Sequence, residues 1–159
     1  MQNNAFFFEA IRSGNLDMIK ELIAESPELI KSVDQRGSTP VLLATYYEHA
    51  EIAGFLMENG VEVDSKDSSG NTALMGVCFK GYTDIAKKLI DAGADVNHTN
   101  SMGATCLIYA ATFNRIEIAE LLLQHGADTK AKDARGQTAL DHAKMQETGP
   151  LIKLLEKYD

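Results

Sequence analysis

Side chains able to do chemistry are few in this sequence, and their spacing argues against a reaction centre. Four histidines, His49, His98, His125 and His142, could serve as bases or metal ligands near neutral pH. None stands at a ligand or triad spacing from a Cys, Asp or Glu, so all four are expected to be exposed or to sit at helix ends. Cys78 and Cys106 are the two thiols. Both fall in apolar stretches without a CxxC partner, which argues against a disulfide framework or a zinc site and for buried, reduced thiols. Asp64, Asp95 and Asp128 read as turn formers rather than metal ligands. Catalysis needs a nucleophile, a base and an orienting group, or a metal, around one pocket. No such set recurs here, so no enzymatic activity, no metal and no cofactor is expected.

Charge narrows the partner classes further. The chain of 159 residues holds 23 acidic against 15 basic side chains, a net charge of -8. Residues 1 to 66 carry 5 Lys/Arg and 11 Asp/Glu, and residues 67 to 159 carry 10 and 12. Such a chain repels a phosphate backbone, and Lys87-Lys88 and Lys130-Lys132 are isolated solvated pairs, so nucleic acid is not the expected partner. A membrane-surface role would need a basic amphipathic helix, and no apolar run approaches the ~20 residues that cross a bilayer. Met1 to Asn4 precede a short Ala5 to Phe8 run that lacks the positive flank of a secretory signal. A cytoplasmic location, where thiols stay reduced, is the expectation. With 45% hydrophobic residues, one domain of this length can bury a core without staples.

The elements that position these side chains recur every 33 residues. Asp34, Asp67, Asn100 and Asp133 keep that spacing, as do Gly37, Gly70, Gly103 and Gly136, and Thr39, Thr72, Thr105 and Thr138. Ile52, Ile85 and Ile118 follow, then Leu56, Leu89 and Leu122, then Gly60, Gly93 and Gly126. Each unit reads as turn, helix, short turn, helix, loop. Asp-x-x-Gly suits a tight turn, because glycine tolerates positive φ and the carboxylate bonds nearby amides. Thr then caps the first helix, and Pro40 fills a first helical position where its missing N–H costs nothing. The second helix carries apolar residues at helical spacing, as in Ile85, Ala86, Leu89 and Ile90, and Gly93 and Gly126 end these helices.

Gly-Ala-Asp-Val-Asn at 93 to 97, Gly-Ala-Asp at 126 to 128 and Gly-Ser-Thr-Pro at 37 to 40 resemble the ankyrin repeat family, and the likeness spans nearly the whole chain. It implies an all-α solenoid of stacked helix-turn-helix units joined by β-turn loops. Residues 1–159 then form a single domain: an amino-terminal cap over 1–33, full repeats over 34–66, 67–99 and 100–132, and a carboxy-terminal cap over 133–159. Two departures matter. The family's usual His two residues after the Pro position is replaced by Leu42, Met75, Ile108 and Asp141, which removes a member of its usual polar network between repeats. The glycine between the two helices survives as Gly81, while Glu48, Asn114 and Glu147 stand in its place elsewhere.

Members of that family generally bind partner proteins with turn tips and first-helix faces on a concave side. The resemblance therefore nominates Arg36, Asn71 and Met102 at the tips, and Tyr46, Tyr47, Phe79, Lys80, Phe113 and Met145 on the first helices. Aromatic, Met and Arg side chains are the types enriched at energetic hot spots. A monomer acting as a protein-interaction scaffold is expected, its partner offering a basic patch to the acidic first half. The alternative is a dedicated inhibitor or stability partner of one enzyme.

Overall fold

The computed structural model describes residues 2–159, so Met1 lies outside the described residues. Ten α-helices follow in five pairs: α1 (Gln2–Ser13) with α2 (Leu16–Glu25), α3 (Pro40–Tyr46) with α4 (Ala50–Glu58), α5 (Ala73–Lys80) with α6 (Thr83–Asp91), α7 (Cys106–Thr112) with α8 (Ile116–Gln124), and α9 (Ala139–Met145) with α10 (Gly149–Tyr158). A 3₁₀ turn, Pro27–Lys31, follows α2, where proline sets the first position. Each first helix packs on the next first helix, and α4, α6, α8 and α10 stack in the same way, giving two layers of helices.

Local chemistry explains why the elements fall where they do. Asp34 Oδ1 accepts the Arg36 and Ser38 amides at 2.9 Å each, tying the turn closed. Asp67, Asn100 and Asp133 repeat the same pair of bonds, and Asn serves as well because the turn uses only an oxygen. Thr39, Thr72, Thr105 and Thr138 then cap the first helices, each hydroxyl accepting the amide three residues on. Thr138 and Asp141 complete a reciprocal capping box. Between helices the backbone turns through left-handed φ at Glu48 (60°), Gly81 (83°), Asn114 (55°) and Glu147 (54°). Gly70 and Gly103 are needed for another reason: a Cβ would meet the backbone of the next turn at 3.2 Å in each case.

The core runs unbroken along the stack. Leu56, Leu89 and Leu122 are fully buried, as are Cys78 and Cys106 on the adjoining helices α5 and α7. No buried side-chain nitrogen or oxygen among the described residues lacks a hydrogen-bond partner. Polar links between units do form, carried by other residues than the family's missing histidine. Asn100 Nδ2 donates to Asn71 Oδ1 at 2.9 Å, Asn97 Oδ1 accepts the Asp128 amide at 2.8 Å, and His49 Nε2 lies 3.1 Å from the Arg12 carbonyl. The expectation of exposed or helix-end histidines fails at His98 alone. His49 does stand at the start of α4 and His125 is exposed, but His98 is half-buried in a loop with Nε2 2.9 Å from the Gly70 carbonyl. His142 is half-buried against Asp133, whose Oδ2 is 2.8 Å from its Nε2. No described helix is long and apolar enough to cross a membrane.

Candidate functional site

The first helices and the turns before them enclose a groove of about 840 Å³, centred on α3 and α5. Leu42, Leu43 and Gly76 form part of its lining, because in a short helix docked by one face the opposite face must look outward, and Met75, though buried, borders it. Aromatic rings stand at its edge. Tyr46 is 58% exposed, Phe79 48%, Tyr47 44% and Phe113 38%. They pack on one another rather than folding into the stack: Phe79 and Phe113 meet edge to face at 4.6 Å, and Tyr46 and Tyr47 at 5.1 Å. Such pairing holds large apolar area in place before any partner arrives, which lowers the ordering cost of binding.

Charges around the groove are partly spent inside the molecule. Arg12 Nη2 donates to Asp34 Oδ2 at 2.8 Å. The Lys80 ammonium lies 4.0 Å from the Tyr46 ring centroid and donates to the Tyr46 carbonyl at 3.5 Å. Arg115 donates to the Phe79 carbonyl at 3.0 Å, closing the carboxyl end of α5. Of the acidic residues in 1 to 66, Asp34 alone lines the groove. The rest lie on α1, on the second helices, in the link after Tyr47 and in the loops, outside the groove lining.

Two titrating groups are displaced by their surroundings. At Asp133 burial pushes the carboxyl up, but hydrogen bonds from His142 and from the Gln137 and Arg135 amides prevail and hold it below its ordinary value. Burial, reinforced by contact with Cys106, pushes the Cys78 thiol well up, so it stays protonated and inert. No group of three or more potential metal ligands occurs among the described residues.

The family model described as ankyrin repeats (3 copies) matches residues 7–100 and 76–158. The chain belongs to the ankyrin repeat family. No curated protein matches it. Ankyrin repeats are generally protein–protein interaction modules, which fits a groove walled by exposed rings rather than by catalytic groups.

Among the residues nominated from the sequence, Arg36, Tyr46, Tyr47, Asn71, Phe79, Lys80 and Phe113 all line this one ankyrin groove. Met102 (62% exposed) and Met145 (54%) are on the surface but outside its lining. Asn71 and Lys80 are half-buried, the first held by Asn100 and the second by Tyr46, so they present less free surface than the rings. Sequence reasoning missed Leu43, Gly76 and Tyr109 as lining residues. The signal was available: they occupy one column of the 33-residue repeat, nine residues after Asp34, Asp67 and Asn100 respectively.

Proposed function

We propose that this ankyrin-repeat chain binds another protein in the groove over α3 and α5, with Tyr46, Tyr47, Phe79 and Phe113 as its principal contacts. The observation that carries the reading is the exposure of these four rings, already paired, around a single concavity. Exposed apolar patches of this kind mark interaction sites in soluble proteins. Arg36 and Asn71 contribute at the turn tips, Lys80 beside Tyr46, and Met102 and Met145 extend the contact toward the carboxyl end. The reading has one monomeric, non-enzymatic unit of the cytoplasm, with residues 1–33 and 133–159 capping three central repeats. A basic patch on the partner would meet the acidic second helices, outside the groove, and would act on association rate more than on affinity.

The test begins with a tagged pull-down and mass spectrometry to name the partner. Phe79→Ala and Tyr47→Ala should then each weaken binding by more than about 1 kcal/mol, with circular dichroism unchanged. Lys87→Glu, on a second helix, should leave affinity intact. The converse pattern would move the binding face to the second helices.

A further inference from the structure

The turns of this stack follow a rule that is broken once. Each carries an Asp or Asn whose Oδ1 closes the turn, leaving the second side-chain atom for another partner. Asp34 Oδ2 takes Arg12 at 2.8 Å, Asn100 Nδ2 donates to the Tyr109 hydroxyl at 2.8 Å, and Asp133 Oδ2 meets His142 Nε2 at 2.8 Å. In the last two the partner stands nine residues on, in the same column of the repeat. Both carboxylates are matched with cationic or basic side chains, the neutral amide with a neutral hydroxyl. Asp67 has no such partner among the described residues: its Oδ1 accepts the Ser69 and Asn71 amides and its Oδ2 is free. Nine residues on stands Gly76.

Gly76 is not a packing glycine. It lies within α5, its φ is not left-handed, and a Cβ added there meets no atom within 4 Å. Glycine weakens a helix interior by about 1 kcal/mol relative to alanine, so nothing local favours it. What it does is leave a notch in the groove, where Tyr109 fills the equivalent place one unit on. The neighbouring turns are also less tightly joined here. Ser101 donates its amide to the Ser69 carbonyl at 3.0 Å and Ala134 to Met102 at 2.9 Å, but the equivalent Ser68-to-Arg36 bond is absent among the described residues. Gly37, unlike Gly70 and Gly103, stands clear of the following turn.

We infer that this notch receives an arginine side chain of the partner protein, which lies over Gly76 and donates to Asp67 Oδ2. The inference rests on the groove being the binding face. Charge complementarity selects a cation, as it does at Asp34, where the partner is Arg12. The aromatic edge selects guanidinium over ammonium, because a planar, weakly hydrated fork stacks on rings while donating to a carboxylate. Lys80 stands one turn beyond Gly76, about 6 Å along α5, but its ammonium is taken up over the Tyr46 ring at 4.0 Å and by the Tyr46 carbonyl. Arg36 is exposed on the preceding turn and makes no ion pair among the described residues, so it disfavours a second cation beside the first. The recognised segment therefore carries an isolated arginine rather than a basic run.

A random linear peptide library displayed on phage provides the probe, selected on the wild-type protein after depletion on Gly76→Tyr. That variant should melt at or above the wild-type temperature, and Asp67→Asn should keep its turn as Asn100 does. Enriched peptides should share one arginine. Resynthesised with citrulline in its place, they should bind about tenfold or more weakly. Asp67→Asn should cause the same loss, and combining the two changes should add little further. Peptides without arginine that still require Phe79 overturn this inference and leave groove binding standing. Peptides indifferent to both Phe79→Ala and Tyr47→Ala overturn both. A selection that yields nothing distinguishing wild type from Gly76→Tyr also overturns the arginine site.

Discussion

A single carboxylate in these turns does two jobs, and Asp133 shows the consequence for stability. One oxygen closes the turn; the other holds His142 of α9. Those bonds overcome burial and keep its carboxyl below the ordinary range, so the ionised form is favoured by folding. A group with a depressed folded pKa stabilises above its unfolded pKa and loses that contribution as pH falls through the folded one. The carboxy-terminal helix pair should therefore loosen in acid, below about pH 4. Amide hydrogen exchange in α9, corrected for its intrinsic pH dependence, should accelerate as pH falls through that range. Asp133→Asn should accelerate less, because the turn survives, as Asn100 shows, while the titrating carboxyl is gone. The remaining sensitivity belongs to Asp141, whose carboxyl is held low by the Thr138 amide and hydroxyl. Equal acceleration in wild type and variant would remove Asp133 from the acid response.

At the scale of the element, the link between the two helices of a unit is the weakest local choice. It requires left-handed backbone, and Glu48 adopts it at φ 60° with a β-carbon that disfavours it. Glu48→Gly should raise the stability measured by chemical denaturation by up to about 1 kcal/mol, part of the gain being offset by the freer unfolded chain. Gly81→Ala should act in the opposite sense. Besides φ 83°, its new Cβ would stand 3.0 Å from the Arg115 guanidinium that closes the end of α5. These links, the Thr caps and the Asp-x-x-Gly turns could all be read from the sequence, because each answers a backbone demand met within a few residues. The groove was less legible. That Phe79 rests on Phe113, that Lys80 is spent on Tyr46, and that His98 reaches Gly70 depend on contacts some thirty residues apart. A repeat spacing reveals these only when side chains in the same column of successive units are compared for what each lacks.

At the scale of the whole molecule, stability is transmitted only between neighbours, since first helices touch first helices and second helices touch second helices along the line. The middle of such a stack matters most, because each central helix has two neighbours to lose. Leu89, on α6 between α4 and α8, is fully buried, and its column mates Leu56 and Leu122 are equally enclosed. Leu89→Ala removes buried methyl groups from a site that packed neighbours on both sides prevent from collapsing, so it should cost roughly 2–5 kcal/mol in chemical denaturation. The loss should be felt on both sides of α6: hydrogen exchange should rise in α3 and in α9, although neither holds the substituted residue. Leu155→Ala provides the contrast. It is buried on α10, at the end of the second-helix layer, and should raise exchange mainly in α9 and α10 while leaving α3 protected. A Leu89→Ala denaturation curve that superimposed on the wild type would mean that this column does not face the core between units.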